Sequence, residues 1–504
     1  MFKPHPVSVG VGAPTFQDVI NVARHGAPVE LSPEALRAIA ESRAVIDELA
    51  ADATPHYGVS TGFGALATLA IPREKRMLLQ RSLIRSHAAG SGDEVEREVV
   101  RALMFLRLST LATGRTGVRV ETATAYARML SDELTPVVHE HGSLGCSGDL
   151  APLSHCALAL IGEGPVRDRD GELTTVPEPV ALHEKEGLAL INGTDGMLGM
   201  LVLAVHDLRN LLTTADITAA MSVEGLLGTD RVFAQDLHAL RPQHGQQHSA
   251  ANLRRLLADS AIVASHRGPE DTRVQDAYSL RCAPQVAGAA RDTLAHAEQV
   301  ARRELESAID NPVVTPDGRI ESNGNFHGAP VAYVLDFLAI AAADVASMAE
   351  RRTDRFLDVA RNHGLPAFLA DDPGVDSGYM IAQYTQAALV SELKRLASPA
   401  SVDSIPSSAM QEDHVSMGWS AARKLRRALD ALAQVLAIEL LTAARGIQLR
   451  APLTPAPATA AVVAALDLQP GPDRFLAPEI AAATDFVKAG GPRRAAEAIT
   501  GELA

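Results

Sequence analysis

Gly142-Ser143-Leu144-Gly145-Cys146-Ser147-Gly148-Asp149-Leu150-Ala151-Pro152-Leu153 is the stretch on which the reading of this chain turns. Its centre, Cys146-Ser147-Gly148, permits a reaction open to few tripeptides. Gly148 has no side chain, so the backbone can bend until its amide nitrogen meets the carbonyl carbon of Cys146. Attack and loss of one water would close a five-membered ring. Loss of the Ser147 hydroxyl as a second water would leave an exocyclic methylidene, a carbon electrophile that no unmodified side chain supplies. Ser147-Gly148 by itself is more often a plain turn, here ahead of an Asp-capped helix. The surrounding residues decide between the two.

Outward from this loop stand Tyr57-Gly58-Val59-Ser60-Thr61-Gly62-Phe63-Gly64, Ser86-His87-Ala88-Ala89-Gly90 and Leu190-Ile191-Asn192-Gly193-Thr194. Further on come Val274-Gln275-Asp276-Ala277-Tyr278-Ser279-Leu280-Arg281-Cys282, Ser322-Asn323-Gly324-Asn325-Phe326-His327-Gly328 and Gln411-Glu412-Asp413-His414-Val415-Ser416. Each alone is an unremarkable loop. Together, in this order and over nearly the whole chain, they resemble the aromatic amino acid ammonia-lyase and aminomutase family. The resemblance implies a prosthetic group, 4-methylidene-imidazole-5-one (MIO), formed autocatalytically from Cys146-Ser147-Gly148. It implies no external cofactor and no metal. Most family members have Ala where this chain has Cys146. The ring uses only that residue's carbonyl, so the departure is compatible, and the thiol is read as a small buried side chain.

The expected chemistry assigns the remaining residues. A substrate carboxylate wants a planar, permanently charged fork, which Arg281 provides. The barely acidic β-proton needs a strong, positioned base, and Tyr57 and Tyr278 are the two candidates. By the same resemblance, Asn192 and Gln275 serve the MIO carbonyl and the substrate's polar groups, while Phe326 packs against its aromatic plane. His87 and Glu412 stand where histidine-using relatives face the imidazole. Relatives acting on phenylalanine or tyrosine generally carry other residues at the first position and Gln at the second. A carboxylate can accept an imidazole N–H or stabilise an imidazolium, but gains nothing from a phenyl ring. The expected reaction is therefore elimination of ammonia from L-histidine to give trans-urocanate. The alternatives are a tyrosine or phenylalanine ammonia-lyase or aminomutase of the same family and, in another class, a silent helical scaffold with an unprocessed loop.

Composition agrees with a helical enzyme. The chain has 504 residues, 47% apolar but only 4% aromatic, so small side chains in packed helices are favoured over aromatic-rich sheets. With 46 basic and 61 acidic residues the net charge is −15, which argues against nucleic acid and against anionic membranes as partners. The start, Met1-Phe2-Lys3-Pro4-His5-Pro6, leads into no apolar signal-type region, and a cytoplasmic location is expected. The most apolar stretch, 197–205, is too short to span a bilayer before His206, Asp207 and Arg209 interrupt it. Cys146, Cys156 and Cys282 show no paired or metal-type spacing, as in a reduced protein.

Periodicity places the first clear helix at Ser32-Pro33-Glu34, with a capping hydroxyl, a proline at the first helical position and an acid in the first turn. Long Ala- and Leu-rich helices are expected over 197–227, 287–309, 331–352, 381–396 and 419–449. The fold class is thus mainly α, an ammonia-lyase/fumarase-like arrangement. An N-terminal portion (1–195) carries the MIO loop, followed by a long central helical bundle (196–450) and a C-terminal helical segment (451–504). The family resemblance also implies a homotetramer in which each active site draws residues from three chains. His244 and His248 have the spacing of a two-histidine metal site but lack the zinc-protease Glu, and are read as an exposed loop. Gly10-Val11-Gly12 lacks the rest of a dinucleotide fingerprint.

Overall fold

The computed structural model describes residues 5–52, 54–268, 271, 274–466, 468 and 471–504. Among them are nineteen α-helices, while the strands are short and pair into small sheets. The five long helices expected from periodicity are present, as Asp195–Gly225, Ala283–Leu305, Ala329–Leu357, Met380–Leu396 and Gly418–Gln448. The helix Pro33–Ala51 opens as its sequence dictates: Ser32 accepts a hydrogen bond from the Ala35 amide, and Pro33 opens the first turn. An earlier helix, Phe16–His25, escaped the periodicity reading. It starts with a reciprocal Thr15–Asp18 capping box and ends at Gly26 in the left-handed region. Phe16, Val19, Ile20 and Ala23 do recur at helical spacing, so the signal lay in the sequence, in a helix only ten residues long.

The chain divides into two compact units. The first comprises Met1–Leu203, Glu298–Asp336 and Pro399–Arg423; the second comprises Ala204–Ala297, Phe337–Ser398 and Lys424–Ala504. Asp195–Gly225, Ala283–Leu305, Ala329–Leu357 and Gly418–Gln448 each contribute residues to both. Ala329–Leu357 is also apolar and long enough to cross a membrane by length and composition, with 61% of its apolar window buried inside the protein, as in a core helix.

Each unit buries charge, and in each the charge is paired, as low-dielectric surroundings require. In the first unit Lys185 Nζ meets Asp310 Oδ2 at 2.5 Å, and Arg107 meets Asp195 at 3.0 Å. In the second, Arg352 makes a two-point contact with Glu439 at 2.5 and 2.9 Å. Glu439 accepts two further hydrogen bonds, from the Thr218 and Ser222 hydroxyls. Arg352 also donates to the Ser279 carbonyl at 3.1 Å, tying the segment that carries Tyr278 and Arg281 to this buried pair. Removing one partner of such a pair costs about 3–5 kcal/mol, because the other charge is left uncompensated. The C-terminal helices Pro457–Ala465 and Gly491–Thr500 pack on each other and on His244–Leu256. The last residue, Ala504, exchanges two hydrogen bonds with the Asn252 side chain, each 3.0 Å.

Candidate active site

The loop before the helix Leu150–Leu160 is held from below by Asp149. This side chain makes no capping bond to the helix it precedes, contrary to the simple turn-and-cap expectation. Its Oδ2 instead accepts from the Gly196 and Met197 amides, both at 2.9 Å, in the first turn of Asp195–Gly225. Oδ1 accepts from the Ser143 hydroxyl at 2.8 Å. Asp149 therefore caps a helix that begins far along the chain and fastens the loop to it. Burial pushes its carboxyl up to about 7, against the pull of these donors. The Asp149 amide also donates to the Gly193 carbonyl at 2.8 Å, which sets the Asn192-Gly193-Thr194 motif directly against the loop.

That contact explains Gly148. Its φ is +75°, and a Cβ there would lie 2.1 Å from the Gly193 carbonyl oxygen, so only glycine fits. On the other side the Gly145 carbonyl accepts from the Ser416 hydroxyl at 2.7 Å and from the Gly328 amide at 3.1 Å. The Met417 amide donates to the Leu144 carbonyl at 2.9 Å. The sequence motifs around Asn192, Phe326 and Glu412 are thereby gathered onto one loop. A tripeptide held at both ends, with a side-chain-free third residue, fits the precursor of an MIO ring.

Above the loop stands Glu412. Its Oε2 accepts from Cys146 Sγ at 3.1 Å and its Oε1 from Ser147 Oγ at 3.0 Å. Ser407 Oγ donates to Oε2 at 2.9 Å, and backbone hydrogen bonds in both directions link Ser407 with Glu412. Burial first, and then the carboxylate it donates to, push the Cys146 thiol up to about 12, so it stays protonated. His87, on the last turn of Arg76–His87, lies within the electrostatic reach of Glu412. Burial lowers its pKa, while a backbone hydrogen bond at Leu83 and the Glu412 charge oppose that fall.

The remaining expected residues of the first unit are placed as follows. Asn192 is 4% exposed, its side-chain Oδ1 lacks a hydrogen-bond partner, and its carbonyl accepts from Arg107 Nη1 at 3.2 Å. A buried amide oxygen without a donor is costly unless a further group satisfies it. The Tyr57 hydroxyl accepts from the Gly64 amide at 3.3 Å, and Phe326 is half-buried.

Gln275, Tyr278 and Arg281 belong to the second unit. Gln275 is exposed, Tyr278 is 70% exposed, and the Arg281 guanidinium lies over the Tyr278 ring, 4.8 Å from its centroid. Arg281 Nε is buried without a hydrogen-bond partner.

Three residues escaped the sequence reading. Ser407 is an ordinary serine by type and spacing. Asp149 was visible only as a helix cap. Arg107 carried a signal, an arginine set within the apolar stretch 102–112 of the helix Arg97–Ala112, where it is fully buried and bonded to the carbonyls of Ala189, Asn192 and Ile309. His244 and His248 are exposed as expected, but they lie on the helix His244–Leu256 rather than in a loop, because Gln246, Ser249 and Asn252 supply a buried polar face there. Among the described residues no group of three or more His, Cys, Asp or Glu could hold a metal ion.

With this geometry in place, comparison with known proteins gives the class. The aromatic amino acid lyase family profile matches residues 15–467, and the chain belongs to that family of carbon–nitrogen lyases. It is 65% identical to a histidine ammonia-lyase of Streptomyces griseus, across 99% of this chain and 100% of that one. It is 48% identical to one from Anaeromyxobacter, across 95% and 97%. Among solved structures, a tyrosine aminomutase of Streptomyces globisporus matches with a TM-score of 0.93 at 37% identity, covering 99% of this chain and 100% of that one. A histidine ammonia-lyase from Trypanosoma cruzi matches with a TM-score of 0.89 at 36% identity, covering 98% and 95%.

Proposed function

We propose that this chain eliminates ammonia from L-histidine to give trans-urocanate, using an MIO group that it builds from Cys146-Ser147-Gly148. The observation that carries the reading is the carboxylate of Glu412, seated directly over Ser147 and within electrostatic reach of His87. When formed, the MIO supplies a carbon electrophile for the substrate's amino group. Every other task falls to side chains. Arg281 clamps the carboxylate with its planar fork. Tyr57 or Tyr278 takes the β-proton as the positioned base. Glu412 and His87 face the imidazole, and Phe326 covers its plane. Asn192, whose Oδ1 lacks a partner, and Gln275 serve the polar groups of ring and substrate.

The active assembly in this reading is a cytoplasmic homotetramer whose sites are shared among chains. The exposure of Val274 (95%) and Tyr278 (70%), beside an Arg281 with a buried, unpartnered Nε, supports a segment completed by another copy. The portion 1–195 supplies the electrophile, the bundle 196–450 supplies the clamp, and 451–504 closes the fold.

Intact mass, near-ultraviolet absorbance and a product assay with histidine, tyrosine and phenylalanine test the whole reading. A mass lower than the translated sequence by two waters, with urocanate as the dominant product, is expected. An active preparation with full translated mass would overturn the MIO assignment. Preference for tyrosine or phenylalanine, the substrate class suggested by the aminomutase neighbour, would overturn the choice of histidine.

A further inference from the structure

The two oxygens of the Glu412 carboxylate are held by donors with different fates. Oε2 accepts from Ser407 Oγ at 2.9 Å and from Cys146 Sγ at 3.1 Å. Oε1 accepts from Ser147 Oγ at 3.0 Å, and that hydroxyl is the one that ring formation expels. Making the MIO would therefore strip Oε1 of this donor and leave both donors on Oε2. Cys146 gives the ring only its carbonyl, so its thiol, carried on Cα, stays outside the ring. We infer, resting on the histidine reading above, that Ser407 and Cys146 are positioning residues for substrate choice. They fix Oε2 so that Oε1 faces the imidazole N–H.

The backbone sets Ser407 against Glu412. The Ser407 amide donates to the Glu412 carbonyl at 2.8 Å, and the Glu412 amide donates to the Ser407 carbonyl at 3.2 Å, an antiparallel bridge. Donor and acceptor are thus opposed across a short closed loop. Within that loop Ser408, Ala409 and Met410 have φ of +51°, +52° and +70°. Residues with a Cβ enter this region only at a cost, which the surrounding structure must offset. The result is a hydroxyl fixed beside the carboxylate.

Cys146 supplies the second hold. Burial, and then the carboxylate itself, push its thiol up to about 12, so it stays a donor. With two donors on Oε2 the carboxylate loses its freedom to turn, and Oε1 presents one direction to the substrate. An imidazole N–H meets it there. A phenyl ring has no N–H to offer and leaves that oxygen unsatisfied.

The test is calorimetric affinity for trans-urocanate and for its phenyl analogue, trans-cinnamate, in wild type, Ser407→Ala, Ser407→Thr and Cys146→Ala. Kinetics on histidine, intact mass and oligomer size are measured in parallel, and all four chains should lack two waters. Ser407→Ala should bind trans-urocanate about tenfold more weakly, with no loss of affinity for trans-cinnamate. Its KM for histidine should rise in step, with kcat changed far less. Ser407→Thr keeps the hydroxyl and should recover most of the loss. Cys146→Ala should lose roughly threefold, because a thiol is the weaker donor, and it carries the test should Ser407→Ala not fold. Wild-type affinity for trans-urocanate in either folded Ala variant overturns the proposal. So does an equal loss for trans-urocanate and trans-cinnamate, which marks a merely structural role, or a missing mass deficit in Ser407→Ala, which places Ser407 in ring formation. A wild type that prefers tyrosine or phenylalanine would instead refute the histidine reading on which the proposal rests.

Discussion

The loop at 142–148 and the segment at 274–281 are both polar, glycine- or serine-bearing stretches, yet they sit in opposite circumstances. The loop is largely buried and bonded on every side by residues of its own unit, through Asp149, Gly193, Gly328, Ser416 and Glu412. The segment leaves Val274 and Tyr278 exposed and an Arg281 nitrogen unpartnered, although Arg352 ties its backbone down. In the proposed reading the difference separates two kinds of chemistry: ring closure is intramolecular and is served by a loop held within its own unit, whereas substrate clamping needs donors that remain unsatisfied until a ligand, or another copy of the chain, arrives.

The largest expected effect is on the loop. Ser147→Ala removes the hydroxyl that must leave, so the two-water mass deficit should vanish together with nearly all activity, while oligomer size is retained. An active Ser147→Ala enzyme would break the comparison at its root.

The exposed segment is tested by mixing. In this reading Ser147→Ala is inactive and Arg281→Ala strongly impaired when each is expressed alone, but if the two positions in one site come from different chains, co-expression restores function. Random assortment at equal expression would leave about a quarter of the sites wild type at both positions. Mixed tetramers confirmed by mass, with no more activity than either parent, would place both residues in one chain.

Alone, Arg281→Ala should cost roughly 1.5–3 kcal/mol for each charge-assisted hydrogen bond lost to the substrate carboxylate, well over tenfold in kcat/KM. Arg281→Lys should recover only part, because a point charge does not copy the fork. Near-normal kinetics in Arg281→Ala would remove the clamp from this residue.

The smallest effect concerns Asp149. Its folded carboxyl is raised from an ordinary 3.8 to about 7 by burial, so the folded state keeps a proton that the unfolded chain releases. The sign follows: this contribution to stability is fully present below about pH 4 and is lost as pH rises through about 7. Asp149→Asn keeps an oxygen to accept from Gly196 and Met197 and has nothing to titrate. The wild-type Tm should fall more between about pH 5 and about pH 8 than the Tm of this variant. Parallel curves would show that Asp149 does not titrate in that range.

Much of this molecule is legible in its sequence alone. The long helices follow from Ala- and Leu-rich periodicity, and Ser32-Pro33 marks a helix start by local chemistry alone. His244–Leu256 is not legible, because a polar helix carries a weak period and is decided by what it packs against, whereas Phe16–His25 carries both a helical period and a capping box in only ten residues. The site divides in the same way. Arg281, Glu412 and the tyrosines stand out by type within their motifs, whereas Ser407 has no distinguishing type or spacing.

What the sequence by itself determined is the local chemistry. A glycine after a serine can close a ring, a guanidinium can clamp a carboxylate, and a patterned run will coil, because each property resides in a few consecutive residues. What only the tertiary structure decided is which distant groups those residues meet. It turned Asp149 away from its own helix to cap Asp195–Gly225 and laid Gly193 against Gly148. It also brought Glu412 onto Cys146 and Ser147 from 266 and 265 residues away. A hydrogen bond requires two groups at about 3 Å in the right orientation, and over such separations only the folded path of the backbone can supply that.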